Sequence, residues 1–312
     1  MTESLLRRGQ FSLAPVQRRD LDEALALCRA DEVANVVPLM HVETAIETGT
    51  MPTSLWVVRR RGRSARTVAG VIWAGANLTA VLDDTDAEDT EEARAETAAA
   101  LIARIARPAA MVGPADLTLD LWGRVEHRWG PAREIRPRQV SMVIDSEPTL
   151  APSFADAETA FGVDIAAEPV RRATLDDYAL LLPAAVHMFI GEVGYDPLRH
   201  GRAAYEDRLQ HLVRTGRSFV QMGQVEGRRE VLFKAEVGVV GGRVAQVQGV
   251  WVHPSLRGKG LAKRGMAAMI PLVRAELAPA LSLYVNDFNS AAIGAYHSVG
   301  FRDVGTFATV MF

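Results

Sequence analysis

The spacing of apolar and polar positions changes period several times along the first half of the chain. Alternating or β-branched runs predict strands, and spacings of three and four residues predict helices. The predicted strands are 11–16, 55–59, 67–73, 77–82, 109–112, 117–121 and 139–144. The predicted helices are 20–48, interrupted at least once, and 93–106, with a helical turn at 125–129.

The same order of elements returns in the second half. A strand at 170–173 precedes a helix capped by Thr174, a helix at 202–214 and three strands at 218–224, 230–240 and 243–253. A long helix from Leu261, a strand at 281–285, a helix at 290–298 and a strand at 301–312 complete the pattern, and Pro271 is expected to kink the long helix or weaken its hydrogen bonding. We therefore predict two copies of one α/β fold.

Residues 146–168 combine Pro, Ser and acidic residues with little periodicity, which is typical of a linker. A chain of 312 residues also exceeds the usual size of one domain. The predicted division is a domain at 1–147, a linker at 148–168 and a second domain at 169–312.

Composition excludes several classes of function. The net charge of -3 gives no basic field for nucleic acid, and the single cysteine, Cys28, excludes an intrachain disulfide or a multi-thiolate metal site. We predict no bound metal. The sequence shows neither a secretory signal nor a membrane span, so a cytoplasmic protein is expected.

One strand turns through glycines directly into a helix, in the segment Val250–Arg264, VWVHPSLRGKGLAKR. Gly258 and Gly260 allow a close approach to the main chain, and the first amides of the helix are free to bind an anion. Arg257 and Lys259 add positive charge beside them. This pattern indicates a phosphate-binding loop, although a glycine turn before a helix is also common as a purely structural feature.

A second segment, 281–301, follows at a fixed distance. It places Asn289, Ala292, Tyr296 and the pair Gly300-Phe301 in one pattern, with Asn289 as the helix cap and Tyr296 one turn after Ala292.

Together the two segments resemble the GNAT superfamily of acyl-CoA N-acyltransferases, whose loop Q/R-x-x-G-x-G/A binds the CoA pyrophosphate. The loop here is SLRGKG, and it departs from the family at Ser255. The resemblance covers about 169–312. It implies an α/β (α+β) architecture in which two GNAT-like domains each have a mixed, mostly antiparallel central sheet flanked by helices, and it implies acetyl-CoA as co-substrate.

The resemblance also implies roles for individual residues. Backbone groups near Val250 and Val252 would pair with the pantetheine arm, and Tyr296 would be the general acid that protonates the leaving thiolate. The implied cofactor-binding residues are Val250, Trp251, Val252, Arg257, Gly258, Lys259, Gly260, Leu261, Ala262, Asn286, Asn289, Ala292 and Tyr296. Tyr296 and Trp251 could instead pack in the core, and the two asparagines could serve as caps or turn residues.

The general base is not evident, because Gln246 and Gln248 occupy the strand positions where the family often has an acid. Glu236 and Glu192 are the candidates for proton transfer through water, and a surface ion pair is an equal alternative for each. His187 is a further candidate, although a histidine on an apolar helix face more often packs.

The corresponding stretch of the first half, 83–92, is dense in acidic residues and has the wrong charge for phosphate. We therefore expect either a degenerate GNAT-like domain that has lost CoA binding or an unrelated α/β domain.

The predicted function is the acetyl-CoA-dependent acetylation of a primary amine by direct attack in a ternary complex. The alternative is a CoA-binding regulatory or interaction protein without turnover, and O-acyl transfer or a longer acyl donor is a third reading. The expected partner is a small-molecule or peptide amine, with no nucleic acid and no membrane, and the sequence leaves monomer and homodimer open.

Overall fold

The computed structural model describes residues 9–61, 67–83, 87–149, 167–199 and 201–312. It contains two compact units, Met1–Ser141 with Gly305–Phe312, and Met142–Val304. Most of the predicted linker, 148–168, lies outside the described residues.

The strands and α-helices of the described residues follow each other in a fixed order along the first part of the chain. They are β1 (Phe11–Pro15), α1 (Leu21–Arg29), α2 (Val36–Thr48), β2 (Leu55–Arg60), β3 (Val68–Ala74), β4 (Asn77–Leu82), α3 (Ala87–Arg104), β5 (Ala110–Pro114), α4 (Ala115–Trp129) and β6 (Glu134–Ile144).

The second part of the chain repeats this order. Its elements are β7 (Arg171–Arg172), α5 (Tyr178–Val193), α6 (Arg202–Arg214), β8 (Ser218–Val225), β9 (Arg228–Gly241), β10 (Val244–Val252), α7 (Leu261–Glu276), β11 (Ala280–Asn286), α8 (Ser290–Val299) and β12 (Arg302–Met311).

Both halves therefore run strand, two helices, three strands, helix, strand, helix, strand. The crossover through the third helix joins parallel strands in each case, with Asn77 opposite Ala110 in the first unit and Val244 opposite Ala280 in the second. The other strand pairs with a described register are antiparallel. The prediction of one mixed, mostly antiparallel fold in two copies is confirmed.

The end of the chain completes the sheet of the first unit, whose strand order is β1-β2-β3-β4-β5-β12-β6. Residues 307–311 pair antiparallel with β5, and Val310 is fully buried in a core that contains Leu121 and Trp122. The domain predicted as 169–312 therefore loses residues 305–312 to the first unit. The sequence pattern showed a strand here but carried no information about its pairing partner.

The strand predicted at 117–121 is wrong, because these residues belong to α4. Buried positions recur in α4 at Thr118, Leu121, Trp122, Val125 and Trp129, which is the spacing of one helix face. Leu alternates with polar residues over 117–121, and this period of two is the pattern expected of a strand.

Helix α3 begins at Ala87, six residues before the predicted start, so much of the acidic run lies in its first turns. Carboxylates in the first turns of a helix interact favourably with the positive end of the helix dipole. One of them, Glu91, lies 2.8 Å from the guanidinium of Arg124 in α4. This exposed ion pair links α3 to α4.

In the second unit the strand order is β11-β10-β9-β8-β7. The main-chain N–H of Thr174 donates to Asp177, as the capping-box spacing predicted, and two bonds from Arg171 hold the same carboxylate. Helix α7 continues past Pro271 without interruption. Cys28, in the first unit, is fully buried in a core.

Among the described residues, no helix has the length and apolar character that crossing a membrane requires. The same part of the chain contains no cluster of three or more His, Cys, Asp or Glu residues suited to a metal ion.

Replacing Val310 by Ala should destabilise the first unit by about 2 kcal/mol, because it removes two buried carbon groups and leaves a cavity. Val304, on the same strand but 39% exposed, supplies a matched control. We expect Val304→Ala to change the free energy of unfolding by less than about 0.5 kcal/mol.

Urea denaturation combined with amide hydrogen exchange measures both variants. The loss of protection in Val310→Ala should fall on β5, which pairs with residues 307–311. Equal effects of the two substitutions would contradict the assignment of the last strand to the first core.

Candidate functional site

The predicted phosphate loop forms a compact turn between β10 and α7. A short 3-10 turn, Pro254–Leu256, follows His253, and Arg257 is extended before the chain enters α7. Gly258 and Gly260 have φ values of +75° and +80°, which side chains rarely adopt. The two glycines are therefore required by the backbone of this loop.

The loop exposes groups that bind anions. Arg257, Gly258 and Lys259 are exposed, and Gly260 caps α7 without a side-chain hydrogen bond. The first amides of a helix have no acceptor within the helix, and the helix dipole makes this end positive. A Cβ added at Gly258 would meet no atom within 4 Å, so a ligand has open access to the main chain there. These residues fit a diphosphate group.

Ser255, where the loop departs from the family pattern, braces the loop from within. Its hydroxyl lies 2.8 Å from Nδ1 of His253, and Nε2 of the same imidazole lies 2.9 Å from the carboxylate of Glu230 on β9. The serine thus ties the loop to the sheet.

Strands β10 and β11 pair only at their beginnings. The parallel register covers Val244–Gln246 opposite Ala280–Ser282, while β10 continues to Val252 and β11 to Asn286. The edge of β10 that leads to the glycine loop therefore has no partner on β11. An extended chain could bind there as an added strand.

A β-bulge lies in the part of β10 that has no partner on β11 and pairs only with β9. Gln248 is opposite Glu236 and Trp251 is opposite Lys234, so one extra residue is inserted into β10 between them. Gly249 sits in the bulge with a φ of +59°. A bulge redirects the peptide groups around it, and such features cluster next to active sites.

Two buried charged side chains lie beneath the bulge. Nζ of Lys234 is 2.7 Å from a carboxylate oxygen of Glu236 and donates to the carbonyl oxygen of Gly249 over 3.1 Å. Arg208 of α6 adds a longer bond of 3.4 Å to Glu236. Burial favours a raised pKa for Glu236, but the charges of Lys234 and Arg208 outweigh it and hold the pKa below its usual value.

Tyr296 is 8% exposed on α8 and packs against the ring of Phe301 at a centroid distance of 5.8 Å. Burial, and then the charge of Glu192, raise the pKa of its phenol, so the hydroxyl keeps its proton at neutral pH. Asn289 caps α8 by accepting a bond of 3.2 Å from the N–H of Ala292. The side-chain oxygen of Asn289 therefore has a structural partner.

His187 and Trp251 contact each other across the interface of α5 and β10. The indole N–H of Trp251 donates to Nδ1 of His187 over 3.0 Å. This bond needs the lone pair of Nδ1, so the neutral ring carries its proton on Nε2. The side chain of Trp251 is thus directed at α5, and its main chain remains part of the edge of β10.

Three aromatic rings contact each other near the end of α5, the helix that carries the exposed Glu192. Phe189 lies 5.3 Å from Tyr195 and 5.4 Å from Tyr205 between ring centroids. Burial is the main reason that the pKa values of Tyr205 and Tyr296 are raised, and the carboxylate of Glu192 adds to both shifts. Glu192 is therefore close enough to act electrostatically on both phenols.

Lys234 and Arg208 were not predicted as site residues from the sequence. A signal was available in β9, where the apolar segment VLFKAEVGVV carries opposite charges two residues apart. Side chains two apart lie on the same face of a strand, so a buried pair could have been predicted. Nothing in the sequence indicated that Arg208, on a separate helix, reaches the same carboxylate.

The comparisons with known proteins agree with this geometry. Residues 187–301 match the family model described as Acetyltransferase (GNAT) family, and residues 53–158 match a domain of unknown function, DUF4081. No curated protein is significantly similar to the chain.

Solved structures share the fold over nearly the whole chain. An acetyltransferase of the GNAT family from Colwellia psychrerythraea is 12% identical with a TM-score of 0.54, over 96% of this chain and 99% of its own. A GCN5-related N-acetyltransferase from Sphaerobacter thermophilus is 12% identical with a TM-score of 0.52, over 97% and 96%. A tandem GNAT protein from the clavulanic acid biosynthesis pathway is 14% identical with a TM-score of 0.50, over 96% and 98%.

The raised pKa of Tyr296 predicts how the phenol titrates. The buried neutral form is favoured, so ultraviolet titration of the folded wild type and of Tyr296→Phe should coincide up to about pH 10 and differ only above it. In denaturant the difference should develop around pH 10, the usual value for tyrosine.

The corresponding contribution to folding stability is fully present below about pH 10 and is lost as the pH rises toward the folded pKa. A difference between the folded proteins that develops around pH 9 or lower would contradict the burial of this phenol.

Proposed function

Because residues 187–301 form a domain of the GNAT acetyltransferase family, we propose that the protein transfers an acetyl group from acetyl-CoA to a primary amine. The observation that carries the proposal is the end of pairing between β10 and β11 at Gln246, which leaves the rest of β10 without a partner on β11 before the chain enters the cationic glycine loop. An open strand edge that leads into an anion-binding loop suits an extended arm ending in a diphosphate.

The loop would hold the pyrophosphate through main-chain amides of residues 258–262 and through the charges of Arg257 and Lys259. The amide groups belong to the main chain, so no side chain at position 255 has to contact the pyrophosphate, and Ser255 supports the loop through its bond to His253. The main chain of Val250 and Val252 would pair with the pantetheine arm.

The reaction requires three functions from the protein. The amine nitrogen attacks the thioester carbonyl carbon, and the N–H of Val250 beside the bulge stabilises the developing oxyanion. The carbon–sulfur bond then breaks, and the neutral phenol of Tyr296 gives its proton to the thiolate. The phenol carries this proton at neutral pH, because its usual pKa is already near 10 and burial raises it further.

The attacking amine also loses a proton, and we assign its removal to Glu192 through water. Its carboxylate is exposed and acts on Tyr296 electrostatically. Glu236 suits this task less, because its carboxylate is 1% exposed, paired with Lys234 and Arg208, and has a lowered pKa. We assign Glu236 to the support of the bulge.

Cofactor binding is tested by Gly258→Ala with Gly227→Ala as the matched control. Both glycines have nearly the same φ, +75° and +77°, and an added Cβ at either meets no atom within 4 Å. The backbone strain of the two variants is therefore similar, but only position 258 lies in the loop.

Isothermal titration with CoA should show a dissociation constant at least about tenfold higher for Gly258→Ala, a loss of about 1.4 kcal/mol. Gly227→Ala should bind CoA like the wild type. Equal affinity in both variants and the wild type would refute the loop as the pyrophosphate site.

Turnover is tested by following thiol release from acetyl-CoA with a panel of primary amines. Tyr296→Phe should lower kcat by about a hundredfold or more, the usual contribution of a general acid. Tyr178→Phe is the control, because its buried hydroxyl has no hydrogen-bond partner among the described residues. Tight binding of acetyl-CoA with no amine-dependent release would instead support a regulatory protein without turnover.

A further inference from the structure

Lys234 forms a buried ion pair with Glu236 and makes one further hydrogen bond, to the main chain of the bulge. The ammonium of Lys234, 0% exposed, also donates to the carbonyl oxygen of Gly249 in the bulge. A Cβ at Gly249 would lie 3.3 Å from that ammonium nitrogen and 3.4 Å from the carboxyl carbon of Glu236. The charged pair is therefore packed directly against the bulge.

Stability alone does not account for this arrangement. Removing two charges from water costs several kcal/mol each, and a well-packed apolar pair is often at least as stable. The ammonium group of Lys234 donates to the carboxylate and to the carbonyl at once, which an apolar side chain cannot do. The lysine therefore fixes the geometry of the bulge through its hydrogen bond to the carbonyl of Gly249.

Fixing the carbonyl of Gly249 also fixes the next amide. The C=O of Gly249 and the N–H of Val250 belong to one planar trans peptide unit and point in opposite directions. The bond from Lys234 therefore directs the N–H of Val250 away from the buried pair.

We propose that Lys234 is a positioning residue that orients the N–H of Val250 toward the carbonyl oxygen of the bound thioester. The inference rests on the proposed acyl transfer for its chemical meaning. Lys234 never touches the reacting atoms, and Glu236 holds the ammonium in place from the other side.

The decisive comparison is between Glu236→Gln and the double variant Lys234→Met with Glu236→Gln. Both lack the carboxylate, and only the second lacks the ammonium that bonds Gly249. Infrared difference spectra of bound acetyl-CoA, labelled with carbon-13 at the thioester carbonyl, report polarisation of the C=O bond without turnover.

We expect the carbonyl band to lie at a higher frequency in the double variant than in Glu236→Gln, because the hydrogen bond from Val250 is weakened. With an active amine, kcat should fall about tenfold to a hundredfold between the two variants, within the range for loss of an oxyanion donor. The dissociation constant for CoA itself should stay the same, because the pyrophosphate loop is intact.

Identical carbonyl bands and rates in the two variants would overturn the proposal. If the double variant fails to fold by circular dichroism, Lys234→Leu with Glu236→Leu provides an apolar pair without the ammonium, and the same shift is expected. A wild type that shows a polarised carbonyl but no turnover would refute the proposed acetyl transfer and leave the role of Lys234 standing.

Discussion

The separation of β10 from β11 is the constraint on which the site depends. Main-chain N–H and C=O groups strongly require hydrogen-bond partners, and a strand that loses its neighbour offers them to another extended chain. Here the pairing stops after three residues of β10, and the bulge at Gly249 lies farther along the same strand. The glycine loop then places positive charge at the end of the exposed edge. The three features form one continuous surface built from a single segment.

The two units differ in charge at the start of the crossover helix. Each has a strand followed by a crossover helix that returns to a parallel neighbour. In the second unit the turn before the helix carries Arg257 and Lys259, whereas the helix of the first unit begins in an acidic run that includes Glu91. The same backbone plan thus presents opposite electrostatic fields to a phosphate.

Local chemistry determined how much could be predicted from the sequence. The turn at Gly258 and Gly260 and the cap at Asn289 were predictable, because glycine freedom and capping act within a few residues. The contact of Lys234 with Gly249 was not, since it depends on a register shift between strands. The strand predicted at 117–121 failed because tertiary packing decided between two periods that both fitted a short apolar run.

The last strand has a consequence for how the protein is made. Domains usually fold in order as the chain leaves the ribosome, with the N-terminal one first. In this protein β5 obtains its antiparallel partner only when residues 307–311 have been synthesised. Until then the core around Val310 lacks a buried strand, and one edge of β5 is open to pairing with other chains. The first unit therefore completes its sheet only after residues 307–311 have been synthesised.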